Sequence, residues 1–398
     1  MNETIRIILY LGAVQGLLLS VFLFSIRTNK ISNRLLALLT LCWGIVLLTF
    51  ALIQKGLYQK YPHFIMSVDQ LIFLFFPLLY LQVKYLLESH TKFHRLDLFH
   101  FLPFLLSISF NLDFFLLPGE EKLFLTDNPT KYFNIIEIVS NEIIALQGII
   151  YSILSIRLIR TYQKKIKDYQ STLDKSIIKV LYVGISLNLF SWVIGTVGLN
   201  LEYLNVDIGF NYFVYTYLIL VLVIYIISYA AVKSPEIFKL DIDTIRDHSL
   251  DLKTLIIKPR DSKYAEKESN KELDVVHELI EDPAIIELND RLVLYMENNK
   301  PFLNPELSLP ELANLLEMSR NQLSGLINQF HKKNFYEFVN QYRIEEVKKL
   351  MQDPSNKHLK LISLAYDAGF NSKASFYRIF KQLAGMTPSE YIAKQPVA

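Results

Sequence analysis

Cysteine and charge are both scarce in this sequence of 398 residues, and each scarcity excludes a class of protein. The one cysteine, Cys42, lies in an apolar run, so neither an intrachain disulfide framework nor a cysteine-based zinc site is possible. Charged residues make up 20% of the chain, against about 25% in an ordinary soluble domain. The deficit lies before about residue 235, which argues against a soluble fold for that part.

Catalytic and nucleotide-binding motifs are also absent. The sequence contains no H-E-x-x-H, G-x-S-x-G, P-loop or G-x-G-x-x-G pattern. No known motif therefore supports catalysis, and we predict a protein that is not an enzyme and that has neither a cofactor nor a metal site.

Long apolar runs take the place of charge in the first part of the chain. A helix needs about 20 apolar residues to cross the hydrocarbon core of a bilayer. Seven segments approach that length: residues 7–26, 35–53, 64–83, 98–117, 138–156, 180–199 and 210–232. The fourth is the weakest, because Pro103 lies inside it and Asp113 lies near its end, and its omission leaves six spans. We predict a polytopic membrane helix bundle of seven spans over residues 1–232.

The distribution of basic residues gives the orientation of this bundle. Lysine and arginine accumulate in the cytoplasmic loops of membrane proteins. The connections after the first, third and fifth spans carry thirteen such residues, and the other three connections carry four. The apolar run of the first span is longer than the apolar core of a signal peptide, which has about 7–15 residues, so we expect the span to be retained. The amino terminus is then outside, and seven crossings bring the carboxyl terminus to the cytoplasm.

Beyond the apolar part, the sequence becomes charged and contains residues that are typical of helix starts and helix ends. Residues 233–286 read as a charged linker that is partly helical. In residues 287–398, Ser308 with Glu311 forms a capping-box pattern around Pro310, and Ser319 is placed to cap a second helix. The second helix carries an apolar stripe at the spacing of a helix, formed by Leu323, Leu326, Ile327 and Phe330. Two short helices joined by a tight turn predict a helix-turn-helix unit.

The two-helix pattern recurs after a longer helix, "FYEFVNQYRIEEVKKLMQD", whose predicted core positions are Phe338, Tyr342, Val347 and Leu350. In the second unit, "LKLISLAYDAGF" turns at Gly369, and the following helix directs Phe376, Ile379 and Phe380 inward before it stops at Gly385. The chain thus predicts two helix-turn-helix units in tandem.

The second unit resembles the signature of AraC-type transcription regulators. The residues that carry the resemblance are Ile362, Ala365, Gly369, Phe370, Ser375, Phe376, Arg378, Phe380, Lys381, Gly385, Thr387 and Pro388. The resemblance covers residues 287–398 and implies two recognition helices, at about 320–330 and 373–384, held apart by the longer linking helix. They are expected to enter successive major-groove segments about one helical turn apart. From residue 357 onward six basic residues stand against two acidic ones, which suits attraction to phosphate.

The outward faces of the two recognition helices supply the candidate DNA contacts. In the first unit these are Arg320, Asn321, Gln322 and Ser324, and in the second Lys373, Tyr377, Arg378 and Lys381, with Lys381 on phosphate. The alternative for each is a solvated helix face without a DNA role. Gly325 stands where the family often has a long side chain, so we expect the first unit to discriminate bases less strongly or to dock through its backbone.

Polar residues within the apolar spans mark a candidate ligand pocket, because their burial in lipid is costly. Those singled out are Asp69, Gln70, Asn141, Glu142 and Asn188. The alternative is that they form hydrogen bonds between helices and anchor the bundle.

These features together predict a membrane-anchored, one-component bacterial transcription regulator. The expected location is the inner (cytoplasmic) membrane, multi-pass, with the DNA-binding domain in the cytoplasm. The expected partners are double-stranded promoter DNA, membrane lipid, RNA polymerase, a second copy of the chain and an unknown small-molecule or membrane signal. Two alternatives stay open: a transporter or enzyme-like bundle with a regulatory DNA-binding appendage, and a bundle that is only a passive anchor.

Overall fold

A computed structural model describes residues 2–53, 55–87, 92–128, 131–171, 175–206, 209–233 and 283–394. The fold is all-α, as predicted. The chain divides into two units: Met1–Thr161 with Lys175–Asp243, and Tyr162–Asp174 with Thr244–Ala398. Most of the predicted linker at 233–286 lies outside the described residues.

The first unit contains helices of very unequal length. They are α1 (Glu3–Ser25), α2 (Lys30–Ile53), α3 (Leu57–Lys60), α4 (Phe75–Leu87), α5 (Leu102–Phe110), α6 (Leu112–Leu116), α7 (Gly119–Asp127), α8 (Lys131–Ile166), α9 (Lys175–Tyr203) and α10 (Tyr212–Lys233). Six helical segments of the described residues are long and apolar enough to cross a membrane: Glu3–Ser25, Lys30–Ile53, Pro62–Leu87, Ile135–Ile166, Ile178–Tyr203 and Tyr212–Val232. They overlap six of the seven predicted spans.

The fourth predicted span, residues 98–117, is corrected by the structure. It is not one helix but a 3-10 helix at Arg95–Phe101 followed by the short helices α5 and α6. Pro103 lies in the first turn of α5, where its missing N–H costs least. Asn111, with φ −100° and ψ 8°, separates α5 from α6. Composition alone predicted one continuous span here, whereas the structure has a 3-10 helix and two short α-helices.

Small residues bring α1 and α2 into close contact. A Cβ atom added at Gly16 would lie 3.1 Å from the Thr40 carbonyl oxygen, and one added at Gly44 would lie 3.1 Å from the Ala13 carbonyl oxygen. In lipid, where apolar side chains gain little by leaving the solvent, such close backbone packing is a main source of helix association.

The second unit begins with the segment Tyr162–Asp174 and continues through seven helices of the described carboxyl-terminal part. These are α11 (Pro283–Asn299), α12 (Leu309–Leu315), α13 (Arg320–His331), α14 (Phe335–Gln352), α15 (Leu361–Asp367), α16 (Lys373–Ala384) and α17 (Pro388–Lys394). Both predicted caps are confirmed: Ser308 forms a capping box with Glu311 at α12, and Ser319 forms one with Gln322 at α13.

Helix α14 belongs to two hydrophobic cores. Phe338 and Val339 lie in the first core, with Leu312 of α12 and Leu323 and Leu326 of α13. The second core takes Ile344 and Val347 from α14, and Ala365, Phe376, Ile379 and Phe380 from α15 and α16. Of the other predicted α14 core positions, Tyr342 and Leu350 are only partly buried. One helix therefore fixes the two helix-turn-helix units relative to each other within this domain.

Candidate nucleic-acid interface

Helix α16 has an apolar face that fixes it and a basic face that is exposed. The Ser372 side chain accepts a hydrogen bond from the Ser375 N–H at the start of the helix, and Gly385 ends it with φ 72°. Phe376, Ile379 and Phe380 are buried at the helical spacing. The basic residues fall on the opposite side because the apolar positions determine the rotation of the helix.

The four predicted DNA contacts of α16 differ in their exposure and in the contacts that they already make within the domain. Lys373, Arg378 and Lys381 are exposed, whereas Tyr377 is half-buried and packs against the second core. The Lys373 Nζ lies 5.6 Å from the centre of the Tyr377 ring, in cation–π geometry. The Arg378 guanidinium donates a 2.6 Å hydrogen bond to the Tyr336 hydroxyl on α14. Lys381 makes no such contact in its helix, which suits a residue that reaches phosphate.

The predicted contacts of α13 are partly committed to the helix itself. The Gln322 Oε1 accepts a 2.9 Å hydrogen bond from the Ser319 N–H, so its side chain is held at the helix start. The Ser324 Oγ accepts a 3.4 Å hydrogen bond from the Asn328 amide. Arg320 and Asn321 are half-buried in the first turn. Gly325 follows on the same helix, and a Cβ added there meets no atom within 4 Å. The face of α13 therefore has open space in its middle where a side chain is lacking.

This arrangement of capped helix pairs around a shared helix is matched by a known family. The family model described as "Helix-turn-helix domain" matches residues 312–394. The carboxyl-terminal part of the chain is an AraC-type helix-turn-helix domain. The match covers α12 to α17, and therefore includes both helix pairs and the helix between them.

Relatives with a similar segment are named as regulators. An uncharacterized HTH-type transcriptional regulator of Staphylococcus aureus (strain COL) is 33% identical over 91 residues, which is 23% of this chain and 12% of that protein. A second uncharacterized HTH-type transcriptional regulator, of Escherichia coli (strain K12), is 30% identical over 88 residues, 22% of this chain and 30% of that protein. The melibiose operon regulatory protein of the same strain is 25% identical over 85 residues, 21% of this chain and 27% of that protein. The chain thus spans less than a third of each of these relatives. No solved structure matches it significantly.

The polar residues predicted to line a pocket in the first unit are only partly brought together. A cavity of about 330 Å³ is lined by Asp69, Gln70 and Asn141. Glu142 and Asn188 are not among its lining residues. The Glu142 Oε1 instead accepts a 2.7 Å hydrogen bond from the Asn200 amide, and Asn188 is buried.

Glu137, Tyr58 and Tyr217 also line this cavity, and the predicted pocket residues did not include them. Glu137 lies four residues before Asn141, on the same face of α8, whereas Glu142 is turned about 100° away from Asn141. Helical spacing from Asn141 is therefore the sequence signal that places Glu137 at the cavity and Glu142 away from it.

Sequence reasoning also missed a buried arginine in the second unit. Arg343 of α14 is 1% exposed. Its guanidinium donates to the carbonyl oxygens of Phe302, Asn304 and Ser171 at 2.8, 2.8 and 3.2 Å, and to the Ser171 hydroxyl at 3.0 Å. Burial lowers the pKa of Arg343 to about 10, so the side chain is charged at neutral pH.

Ser171 belongs to a short stretch, residues 167–171, that lies along the DNA-binding domain and that we call the strap. The Tyr336 N–H donates to the Lys167 carbonyl at 2.9 Å, and the Leu309 N–H donates to the Tyr169 carbonyl at 2.9 Å. Gln170 and Ser308 form an antiparallel bridge. These contacts are internal to the second unit, which includes Tyr162–Asp174. Nothing local in the sequence indicates them, since the strap precedes its partners by more than a hundred residues.

Proposed function

We propose that this protein is a bacterial transcription regulator held in the cytoplasmic membrane, which binds promoter DNA through two recognition helices and senses a signal with its membrane bundle. The observation that carries the proposal is one chain that joins six membrane-capable helices to an AraC-type helix-turn-helix domain. Regulation by DNA binding is the part that the relatives' names support. RNA polymerase, membrane lipid and a second copy of the chain are the other proposed partners.

In this proposal α13 and α16 occupy successive turns of the major groove, with α14 as the spacer between them. Asn321 and Arg320 at the start of α13 reach base edges, since recognition helices commonly read DNA with their first residues. Lys373 does the same at the start of α16, and Lys381 neutralises a phosphate. Gln322 and Arg378 contribute less than their type suggests, because each already has a hydrogen-bond partner in the domain.

The DNA contacts predict two different losses. For Lys381→Ala, we expect the DNA affinity to fall alike for all sequences and the slope of log K against log salt to shrink by about 0.9, because one phosphate contact is removed.

For Asn321→Ala, we expect a loss of about 1–3 kcal/mol in the discrimination between bases, at one operator base pair only. Titration of labelled operator variants at several salt concentrations measures both. Gln382→Ala, at an exposed neighbouring position, is the control and should change neither; an unchanged salt slope in Lys381→Ala would argue against the proposed phosphate contact.

A cytoplasmic DNA-binding domain with an external amino terminus requires an odd number of crossings, so we propose that Arg95–Phe101, α5 and α6 together make a seventh, broken crossing. The exposed side chains of this stretch support a lipid environment: Leu96, Leu98, Phe99, Phe110 and Leu116 are 62, 58, 69, 75 and 75% exposed. Seven residues of 3-10 helix and fourteen of α-helix, laid end to end, extend about 35 Å, which exceeds the about 30 Å of the hydrocarbon core.

Cysteine labelling tests the broken crossing. In a Cys42→Ser background, Lys92→Cys and Glu120→Cys flank the stretch at exposed positions. We expect a membrane-impermeant maleimide added outside intact cells to label position 120 and not position 92, and inverted vesicles to give the reverse. Labelling of both positions from one side would show that the stretch does not cross.

The strap offers a route from the bundle to the DNA-binding domain in this proposal. Residues 167–171 join α8 to α9, both of which contain membrane-capable segments. A signal that changed the separation of these two helix ends would pull on the contacts to Leu309, Tyr336 and Arg343. Such a signal must stabilise one of two states more than the other: the state in which the strap contacts the DNA-binding domain, or the state in which it does not.

Two experiments distinguish a sensor from the alternatives, a transport or enzyme-like bundle and a passive anchor. Genome-wide crosslinking of the intact protein to DNA, compared with a Lys373→Ala and Lys381→Ala double variant, identifies the target genes. Transcription of a reporter placed behind a target promoter then measures the response to the signal. Removal of residues 1–232 is a poor control because it also removes the strap. A better control replaces the segments of the first unit with unrelated spans and retains residues 162–174. If reporter transcription still responds to the signal after this exchange, the sensor proposal is wrong.

A further inference from the structure

We propose that the cavity lined by Asp69, Gln70 and Asn141 binds a small organic cation, an amine with an apolar body. This inference rests on the proposed sensory function and names the ligand class for it. The cavity of about 330 Å³ is in the range of small-molecule sites, about 300–1,000 Å³. It lies wholly within the first unit.

The charge of the cavity is of one sign. Asp69 and Glu137 supply two carboxylates to its wall, and its lining residues include no lysine, arginine or histidine. Among the described residues, no side chain donates a hydrogen bond to the Asp69 carboxylate. An anionic ligand would be repelled by these carboxylates, whereas an ammonium group is attracted to them.

Two buried amides at the cavity are incompletely paired. Gln70 is 5% exposed, and its Oε1 accepts no hydrogen bond among the described residues; its amide nitrogen donates to the Met66 carbonyl at 3.3 Å. The Asn141 Nδ2 likewise has no acceptor in the described part of the chain. A buried polar atom without a partner is costly, so the Gln70 Oε1 indicates a donor supplied from outside the chain. The Asn141 Nδ2 indicates an acceptor, which an ammonium group does not provide. An ammonium, with its three donors, can reach the Asp69 carboxylate and the Gln70 Oε1 together.

The rest of the wall is aromatic and apolar. The Phe50 and Tyr217 rings lie 4.4 Å apart between centroids, and Phe73, Trp192 and Phe213 complete this side. Aromatic faces attract organic cations and at the same time bury the apolar part of the molecule. A bare metal ion fits less well, since no group of three or more His, Cys, Asp or Glu that could hold one occurs among the described residues.

The test uses the full chain in lipid nanodiscs and three matched probes: 2-phenylethylamine, its anionic counterpart 3-phenylpropionate and the neutral 2-phenylethanol. Trp192 is one of two tryptophans in the chain and lines the cavity, so a Trp43→Phe background makes its fluorescence a local reporter. Thermal unfolding of the unmodified chain is the second measurement, because a ligand that binds the folded state raises the midpoint.

We expect saturable binding of the amine at least about tenfold tighter than that of the neutral probe, and no saturable binding of the anion. Asp69→Asn and Glu137→Gln, both nearly isosteric, should each weaken amine binding about tenfold, while Asp113→Asn, an exposed carboxylate outside the cavity, should leave it unchanged. Equal binding of amine and neutral probe, or amine binding unaffected by both cavity variants, overturns the proposal. Amine binding without any effect on reporter transcription keeps the cation site and rejects the sensory role, so the two failures are distinguishable.

Discussion

Substituting alanine for Gly369 is expected to cost the helix-turn-helix domain about 3 kcal/mol or more of unfolding free energy, and with it most of the DNA affinity. Gly369 has φ 90°, in the left-handed region, where an L side chain costs about 1–2 kcal/mol. An added Cβ would also lie within 2.3 Å of the Phe302 carbonyl oxygen and 2.9 Å of the Leu303 carbonyl oxygen. Both atoms are backbone, so the chain itself must move, at a cost typical of overpacking, about 1–3 kcal/mol.

Two other glycines of the same domain separate these causes. Gly385 has φ 72° with open space around its Cβ position, so Gly385→Ala should show the backbone strain alone. Gly325 lies inside α13 with open space as well, and Gly325→Ala should stabilise the domain by about 1 kcal/mol. Amide hydrogen exchange of α14 in the full chain measures the opening free energy of each variant. A Gly369→Ala cost no larger than that of Gly385→Ala would mean that the contact with Phe302 is unimportant.

What the sequence predicted well in this domain is what depends on near neighbours. The capping boxes of Ser308 and Ser319 and the stop at Gly385 each involve residues within four positions of one another, and all are present. The buried stripes follow from the same spacing, although Phe330 is only partly buried. Helix spacing and caps are encoded locally, so a single sequence suffices to read them.

The failures have equally physical causes. Residues 98–117 were predicted as one span, with Pro103 as its weak point, and the structure divides them into the end of a 3-10 helix and two short helices that are separated at Asn111. Polarity within spans carries no direction, so it did not distinguish Asp69, Gln70 and Asn141, which line one cavity, from Glu142 and Asn188, which do not line it. The contact of Arg343 with Ser171 joins residues 172 positions apart, and no local pattern encodes it.

That contact leads to the second large effect: for Arg343→Ala we expect a loss of more than about 3 kcal/mol in the unfolding free energy of the second unit. Hydrogen bonds from a charged donor contribute about 1.5–3 kcal/mol each, and the substitution removes those to Phe302, Asn304 and Ser171 at once. The loss is reduced because the Ser171 carbonyl keeps its 2.9 Å hydrogen bond from the Asn340 amide. The Phe302 carbonyl is the same one that faces Gly369, so both substitutions disturb one small region.

Arg343→Lys should be intermediate, because an ammonium keeps the charge but cannot reproduce the planar fork that reaches three backbone carbonyls together. Lys381→Ala, at an exposed position on the proposed DNA face, is the control: it should lower DNA affinity and change stability by no more than about 0.5 kcal/mol. Hydrogen exchange resolves the consequence for the strap, since the Leu309 and Tyr336 N–H groups donate to it. If Arg343 holds the strap, these two amides lose protection from exchange in Arg343→Ala before the amides of the α14 core do. If the two amides exchange only together with the core, Arg343 stabilises the domain as a whole, and the strap is not an element that is released separately.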